Sequence, residues 1–288
     1  MSNVLTSVII VNFNGGQFLI QAIQAVLAST VPIEVFVIDN ASQDGSVQAL
    51  RKTIQDKRLI IVQNARNVGF AKAANQVLSM ASGNYLLFLN PDCLIPPETI
   101  ALFQQTMDKF PQFGMAGGLV RNIDGSEQAS CRRSIPNPWR SLVRVLHLNK
   151  VFPNQALFKS FELTQDMLPS QPIEIEGISG ACMFVRRKAL EQVGPMDESY
   201  FLHCEDLDWF MRFRAQGWPI LLVPNVEVTH IKGGCSQGQP LKVLWYKHRS
   251  MIKFYRKFFR HQYPEPLMWG VFMAVWVRFS LLAIFRKF

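Results

Sequence analysis

Acidic side chains gather in one apolar stretch of the chain, the run YFLHCEDLDW at residues 200–209. Glu205, Asp206 and Asp208 lie inside it, and Asp197 and Glu198 precede it. A carboxylate is costly to bury unless it is paired, bound to a metal or protonated. A carboxylate whose pKa is raised by such a setting can accept a proton from a reacting hydroxyl. This stretch is therefore a candidate source of a general base.

The same acids also have a structural interpretation. The segment EDLDWFMRFRAQG predicts a helix that ends at Gly217, and acidic residues stabilise a helix N-terminus. Asp208 lies about 200° around that helix from Asp206. It precedes Arg212 by one helical turn, which predicts an ion pair between the two. We therefore expect Asp208 to serve structure, and Glu205 and Asp206 to serve chemistry.

Two further residues, one aspartate and one histidine, are of types that commonly bind divalent cations in proteins. Asp92 follows the buried run NYLLFLN, and hard cations prefer oxygen ligands; its alternative role is to cap a helix that begins near Pro96. His230 ends the strand VEVTH and precedes a glycine-containing loop. An imidazole among oxygen ligands suits Mn²⁺ somewhat better than Mg²⁺, although a single histidine at a strand end is structural by default.

The elements that must position these residues alternate along the chain. The short apolar runs SVIIVNF, IEVFVIDN, RLIIVQN and NYLLFLN are separated by segments with helical spacing of apolar residues. This order predicts an α/β fold with a mostly parallel central sheet and helices on both faces. Ligands bind such sheets at the carboxyl ends of the strands.

Every one of these predicted strands stops in amide or acidic residues. They are Asn12, Asn14, Asp39, Asn40, Asn64, Asn67, Asn90 and Asp92. Turn chemistry explains any one of them, but their convergence on one sheet edge favours a site for a polar ligand. The first turn, NFNGGQF, lacks the GxGxxG pattern of dinucleotide sites, so we favour a nucleotide sugar over a dinucleotide.

The pattern loosens over residues 123–172, where we expect an excursion from the sheet with a short helix near Trp139–Leu148 and a mobile loop. Arg132 and Arg133 fall here; a solvated loop is their expected role, and contact with an anionic ligand is the alternative. Regular structure returns with IEIEGISGACMFV. Its small residues, Gly180 among them, allow a substrate to approach the backbone.

Composition bounds the class of protein. The chain has 288 residues, of which 49% are hydrophobic, which suits one large globular domain or a domain with an appendage. Five cysteines without a CxxC pair fit a reducing compartment. The N-terminus MSNVLTSVIIVNF has no basic region, so we expect no signal peptide.

Positive charge is concentrated at the C-terminus. Residues 228–288 hold eleven Lys and Arg against one acid, Glu265, whereas residues 1–227 hold nineteen against twenty. Residues 241–260 combine basic and aromatic side chains at helical spacing, which is typical of an interfacial membrane helix; the alternative is a helix whose apolar stripe covers the core. The aromatic residues favour an anionic membrane surface over nucleic acid, and no nucleic-acid-binding fold is visible.

Residues 268–285 form a second apolar segment. As a helix it would extend roughly 27 Å, barely the thickness of a bilayer core. Arg278 lies inside it and would cost about 2.5–3.5 kcal/mol at the membrane centre. We therefore expect this helix to lie in the interface or to dock on a partner rather than to span.

Six motifs, in order along the chain, resemble those of family 2 glycosyltransferases of the GT-A fold. Within that family they most resemble the rhamnosyltransferase-like branch. They are SVIIVNFN, VFVIDNASQDGS, NARNVGFAKAANQ, LLFLNPD, GACMFVRRKALEQVGPMDESYFLHCEDLDWFMRFRAQGW and HIKGGCS, and the resemblance covers about residues 5–236. It implies transfer of a sugar, with inversion, from a nucleoside diphosphate to a hydroxyl. It also implies a catalytic domain over 1–236, with a nucleotide half at 1–122 and an acceptor half at 173–236, followed by membrane-associating helices at 237–288.

The resemblance assigns roles at the catalytic end of the site. Asp206 would be the base and Glu205 would orient either the acceptor hydroxyls or the base, while Asp92 and His230 would hold a divalent cation, Mn²⁺ or Mg²⁺. The family usually has an acid where this chain has Asn90, which can still bond a ribose hydroxyl.

The nucleotide is expected to lie across the first sheet edge. Asn12 and Asn14 would face the base, Asp39 would bond the pyrimidine N3–H, Asn67 and Lys72 would lie near the ribose and diphosphate, and Gly180 would lie under the donor sugar. Lys72 is equally well explained as a surface lysine.

These assignments predict an enzyme at the cytoplasmic face of the cell membrane. Its donor would be a dTDP- or UDP-sugar, with dTDP-rhamnose as the leading candidate, and its acceptor a lipid-linked or polysaccharide hydroxyl. A non-catalytic membrane-bound scaffold and a nucleotidyltransferase remain as alternatives, and the sequence leaves the oligomeric state open.

Overall fold

The computed structural model describes residues 4–152, 155–159, 161–164, 166–231, 233 and 240–285. Two features expected from the sequence lie outside these residues: the end of the HIKGGCS motif, with Gly234 and Ser236, and the domain boundary at 236/237.

Eleven strands, ten α-helices and one short 3-10 helix, Ala156–Phe158, occur in this part of the chain. The strands are β1 (Thr6–Asn12), β2 (Ile33–Asp39), β3 (Leu59–Gln63), β4 (Tyr85–Leu89), β5 (Cys93–Leu94), β6 (Met115–Arg121), β7 (Arg132–Arg133), β8 (Ile173–Ile175), β9 (Gly177–Ile178), β10 (Cys182–Arg186) and β11 (Ile220–His230). The helices are α1 (Gly16–Leu27), α2 (Ser46–Thr53), α3 (Phe70–Asn75), α4 (Thr99–Lys109), α5 (Pro138–Val145), α6 (Leu148–Val151), α7 (Arg187–Val193), α8 (Glu205–Ala215), α9 (Pro240–Phe259) and α10 (Glu265–Phe285).

The central sheet has the order β3-β2-β1-β4-β10-β6-β11-β5, and β8 pairs with β11. The first four strands are parallel, as the alternating sequence predicts. β10 runs antiparallel to both β4 and β6, while β6 and β11 are again parallel. The sheet is therefore mostly parallel but mixed, and the antiparallel strand β10 lies between its two sets of parallel strands.

Apolar side chains cover both faces of the sheet. On one face Leu19 of α1, Leu50 of α2 and Phe103 of α4 pack on the strands. On the other face α3, α7, α8 and α9 pack together, and Trp209 of α8 meets Phe88 of β4 edge to face at 5.1 Å. This is the two-sided covering that fully buried parallel strands require.

Helix α9 packs on the catalytic half through its apolar stripe, with Phe254 and Tyr255 buried. Two lysines of α9 form ion pairs within the protein. The Lys257 ammonium lies 2.8 Å from the Asp197 carboxylate and 2.6 Å from that of Asp208, and Lys253 lies 3.6 Å from Asp197. The alternative in which the stripe covers the core is therefore realised, and ion pairs reinforce it.

Helix α10 is long and apolar enough to cross a membrane by length and composition alone. It has 21 residues and a mean hydropathy of 1.9, and only 6% of its most apolar window is buried. At 1.5 Å per residue it extends about 32 Å. It packs along α9, with Phe272 under the Arg256 guanidinium at 4.9 Å and Phe279 against the His248 ring at 5.5 Å.

Candidate active site

The turn at residues 179–181 brings the two candidate clusters together. A β-carbon added at Gly180 would lie 2.8 Å from Asp206 Oδ2, so the glycine lets the backbone approach that carboxylate. The next carbonyl, of Ala181, accepts hydrogen bonds from the Asn90 N–H at 2.9 Å and the Cys93 thiol at 3.5 Å. The start of α8 and the segment between β4 and β5 therefore contact the same turn, and we call the region around this turn the candidate catalytic cleft.

Asp92, Cys93 and His230 form the metal-like cluster of this cleft. Their ligand atoms lie within 4.8 Å of one another, and β5 pairs with β11 so that His230 is the register partner of Cys93. Asp92 Oδ1 lies 3.1 Å from His230 Nε2, and the Asp92 carboxylate is largely buried. The Cys93 thiol donates to the Ala181 carbonyl, which leaves Asp92 and His230 as the ligands best placed for a hard cation.

Gln128 supports this assignment by fixing the His230 ring. Its Nε2 donates to the His230 carbonyl at 3.2 Å and to Asn122 Oδ1 at 2.9 Å, so its Oε1 must accept the 2.7 Å bond from His230 Nδ1. The Nδ1 proton leaves Nε2 facing Asp92, and Asn90 Nδ2 lies 3.5 Å from the same Nε2. Asp92 Oδ1 and His230 Nε2 are then two hydrogen-bond acceptors that face each other at 3.1 Å, and such a pair needs a proton or a cation between its atoms. These two ligand atoms therefore fit a divalent cation.

Arg133 occupies the other side of the cleft, contrary to the solvated loop expected for it. Its guanidinium forms an ion pair with Asp206 Oδ2, while the Leu207 N–H donates to Asp206 Oδ1 at 2.8 Å. The pairing of β7 with β9 places Arg133 opposite Gly177. Neighbouring Arg132 instead bonds Glu127 at 2.7 and 2.9 Å, so only Arg133 reaches the site.

Glu205 is the buried acid of the pair at the start of α8. Burial, and then the negative charge of Asp206 beside it, raise the pKa of Glu205 to about 8, and its Oε2 has no hydrogen-bond partner among the described residues. The two residues before it, His203 and Cys204, both have left-handed backbone, with φ of 67° and 66°. Such strain persists only where the surroundings enforce it, and it is commonest at functional sites.

The side chains of Asn12 and Asp39 brace each other at the first sheet edge. Asn12 Nδ2 donates to Asp39 Oδ1 and to Ser42 Oγ, each at 3.0 Å, and Asn12 Oδ1 accepts from the Gly15 N–H at 3.2 Å. Both residues are buried. Asn14 holds the adjoining turn, because its Oδ1 accepts from the Gln43 N–H at 2.8 Å. The Asn12 amide is thus committed within the protein, and contact of these residues with a base stays a prediction.

Asn67 and Lys72 flank the next loop. Asn67 Oδ1 accepts from Asn40 Nδ2 at 3.0 Å and from the Gly69 N–H at 2.9 Å, so it shapes the turn before α3. The Lys72 ammonium lies 3.8 Å from the Glu198 carboxylate, and both side chains are about half exposed. That geometry accords with a surface lysine, and contact of either residue with ribose or diphosphate stays a prediction.

Comparison with known sequences decides the family. The family model of Glycosyl transferase family 2 matches residues 7–194, which is more than half of the chain. The chain belongs to glycosyl transferase family 2. It is therefore a glycosyltransferase, and its motifs place it with rhamnosyltransferase-like members.

Relatives of this glycosyltransferase agree in fold. N-acetylglucosaminyl-diphospho-decaprenol L-rhamnosyltransferase from Mycobacterium tuberculosis is 28% identical over 267 residues, 89% of this chain and 85% of the relative. Among solved structures, GalNAc-T7 with UDP, GalNAc and Mn²⁺ has a TM-score of 0.62 at 16% identity, over 88% of this chain and 48% of that one. Mannosyltransferase PcManGT from Pyrobaculum calidifontis, with GDP-Man and Mn²⁺, has a TM-score of 0.58 at 18% identity, over 93% and 68%. The glycosyltransferase has the GT-A fold and spans about half the length of GalNAc-T7.

Gln128 gives a test of the cation site in the glycosyltransferase. We expect Gln128→Ala to raise the Mn²⁺ concentration needed for half-maximal donor hydrolysis by about 10–100-fold, because the His230 ring loses the acceptor that orients it. Saturating Mn²⁺ should restore the rate. Gln24→Ala, on the exposed face of α1, is the control. An unchanged Mn²⁺ requirement in Gln128→Ala would show that Gln128 does not support a metal ligand.

Glu205 gives a pH test of burial in the glycosyltransferase. The unfolded chain loses the Glu205 proton near its ordinary pKa of 4.5, whereas the folded chain holds it up to about 8. Folding therefore takes up a proton in this window, and this residue makes the free energy of unfolding fall as pH rises through it. Glutamine does not titrate, so its free energy of unfolding lacks this fall. From the acidic to the basic end of the window, we expect the free energy of unfolding of Glu205→Gln to rise relative to that of wild type by at least about 1 kcal/mol, roughly the value of one pKa unit. Urea unfolding at both ends measures the difference, and a constant difference would contradict the raised pKa.

Proposed function

We propose that this glycosyltransferase moves a sugar, with inversion, from a dTDP- or UDP-sugar to a hydroxyl of a lipid-linked acceptor. The donor that the family branch favours is dTDP-rhamnose. The observation that carries the proposal is the turn at 179–181, which joins Asp206 on one side to the Asp92 and His230 pair on the other. These contacts support the proposal because they bring a candidate proton acceptor and a candidate cation site to the same short turn, and sugar transfer from a diphosphate needs both.

In this reaction the acceptor oxygen forms a bond to the anomeric carbon while the bond from that carbon to the diphosphate oxygen breaks. Asp206 takes the proton of the attacking hydroxyl. Arg133 holds Asp206 Oδ2, so the hydroxyl approaches a carboxylate that is already oriented. A divalent cation held by Asp92 and His230 would neutralise charge on the leaving diphosphate.

The acceptor class is supported by likeness and by the C-terminal helices. The mycobacterial relative is named for an acceptor in which N-acetylglucosamine is joined through a diphosphate to decaprenol. Helix α10 is apolar and largely exposed, which suits a lipid environment. We infer that the glycosyltransferase works at the cytoplasmic face of the membrane on a sugar linked to a polyprenyl diphosphate.

Purified full-length protein, Mn²⁺ and a set of dTDP- and UDP-sugars test this function. A thermal-shift screen with and without Mn²⁺ should show one nucleotide sugar that stabilises the fold in a metal-dependent way, since a ligand that binds only the native state raises its stability. That donor, with an N-acetylglucosaminyl-diphospho-polyprenol, should give a disaccharide-lipid product. Absence of both nucleotide-sugar hydrolysis and transfer would instead favour a non-catalytic scaffold.

A further inference from the structure

A cavity of about 660 Å³ opens between α5, α8, α9 and α10. Its volume falls within the range of binding sites for small organic ligands. Most of its lining is apolar or aromatic, contributed chiefly by α5, α9 and α10. Representative lining residues are Trp139, Leu142, Met251, Tyr255, Val271 and Val275.

The cavity runs from the catalytic cleft to the C-terminal helix. Arg133 and Leu207 line one part of it, and Arg133 is the residue that holds Asp206. Gly270 and Arg278 of α10 line another part. A ligand in the cavity can therefore reach the catalytic carboxylate while it contacts the apolar helix.

The charged groups of the lining are mostly positive. Four of them are cations, from Arg133, Arg144, Lys247 and Arg278, and one is the carboxylate of Glu162. Arg144 forms an ion pair with Glu162, and Arg133 forms one with Asp206, which is outside the lining. Arg278 makes no ion pair with any residue that the structure describes. An apolar cavity with surplus positive charge is complementary to an anion that carries a hydrocarbon chain.

Two buried polar atoms beside the cavity lack partners. His248 lines it and is 3% exposed; its Nδ1 donates to the Leu244 carbonyl at 2.8 Å, which leaves Nε2 as an acceptor without a partner among the described residues. The Nε–H of Arg133 is likewise unmatched within the described structure. Unpaired buried polar atoms are costly, and an anionic group of a bound ligand would accept the hydrogen bond that the Arg133 Nε–H can donate.

We propose that this cavity binds the diphosphate and the first isoprene units of a polyprenyl-diphosphate-linked acceptor. This assignment rests on the proposed function and adds the place of its acceptor. The cations of the lining bind the diphosphate, and the apolar walls bind the proximal isoprene units. The rest of a long prenyl chain follows the exposed apolar side of α10, where Trp269 and Met273 are 62% and 64% exposed.

The test fills the cavity and measures binding of farnesyl diphosphate to the full chain in detergent. A β-carbon at Gly270 would meet nothing within 4 Å, so Gly270→Leu should occupy the cavity without disturbing the helix. We expect its Kd for farnesyl diphosphate, followed by the fluorescence of tryptophans such as Trp139, to rise on the order of tenfold or more. Ala215→Leu adds bulk to an exposed helical position at the far end of α8, away from α10 and outside the lining, and it should bind as wild type does. Equal affinities of these two variants would overturn the proposal.

Charge is tested separately. Arg278→Ala should weaken farnesyl diphosphate on the order of tenfold and leave farnesol binding unchanged, whereas Arg249→Ala, outside the lining, should change neither. If vesicles that contain phosphatidylglycerol compete as well as farnesyl diphosphate does, the cavity is a general anionic-lipid site and the proposal is wrong.

A third measurement separates the two proposals. Mn²⁺-dependent hydrolysis of the nucleotide sugar in the absence of acceptor reports the proposed function and does not involve the cavity. If hydrolysis occurs and Gly270→Leu still binds farnesyl diphosphate normally, only the acceptor site is wrong. If the cavity variants lose the probe while no nucleotide sugar is bound or hydrolysed, the proposed function fails and the cavity remains a prenyl-diphosphate site.

Discussion

Asp206→Asn is expected to lower the turnover of sugar transfer by about 10²–10⁴-fold, the contribution usual for a general base. Asparagine has nearly the same shape and can still accept the Leu207 N–H bond that orients Asp206. It cannot take the proton of the acceptor hydroxyl. The Kd for the nucleotide-sugar donor should stay within about twofold, because the acid acts on the acceptor side of the cleft.

Two measurements check this result, the steady-state rate of product formation and donor binding by calorimetry. Glu198→Gln is a matched control, since Glu198 is an exposed acid close to α8 in sequence that pairs with Lys72 on the surface. It should transfer sugar at the normal rate. If Asp206→Asn also transfers at the normal rate, Asp206 is not the base.

Asp92→Ala should produce the second large effect, loss of nearly all metal-dependent activity. Asp92 and His230 are the facing acceptors 3.1 Å apart that fit a divalent cation, and removal of the carboxylate leaves one ligand. We expect a drop of about 10²-fold or more in both transfer and donor hydrolysis, comparable to the loss of several kcal/mol of charge stabilisation. Chelation of the wild-type protein by EDTA should give a similar loss that Mn²⁺ reverses.

The control for Asp92→Ala is Asp56→Ala, because Asp56 pairs with Arg58 just before β3, at the opposite end of the sheet from β5. Activity should be titrated with Mn²⁺ for both variants. A normal Mn²⁺ response in Asp92→Ala, or full activity of wild type in EDTA, would show that the cluster does not hold a catalytic metal.

The nucleotide half of the fold could be predicted because its signals are local. Each of β1, β2 and β4 is a continuous apolar run with almost every residue buried, and the connections between these strands leave room for one helix. The polar strand ends then had to meet at one edge of the sheet. Strand β6 was not foreseen, because Gly117 and Gly118 interrupt its apolar run. Both glycines are needed for close packing, since a β-carbon on Gly118 would lie 2.5 Å from the Val226 carbonyl oxygen.

Side chains from the irregular segment could not be placed by spacing. Arg133 reaches the site through the pairing of β7 with β9, beside Gly177, and Gln128 reaches it through side-chain hydrogen bonds to His230. No periodicity in residues 123–172 reports these contacts. The helical spacing of apolar residues in GFAKAANQVLSMA, between β3 and β4, predicts a longer helix than the one observed. Helix α3 ends at Asn75, whose side chain bonds the backbone of Met196.

The ion pairs of Lys257 with Asp197 and Asp208 have a mechanical consequence. Asp208 lies two residues after Asp206, the proposed base, on α8. Lys257 lies near the end of α9, just before the turn into α10. With α10 in the lipid as proposed, these bonds set the height of the reacting carboxylate above the bilayer. Because that height is fixed, the enzyme would use an acceptor sugar close to the lipid anchor. It would not use a sugar at the far end of a longer lipid-linked glycan.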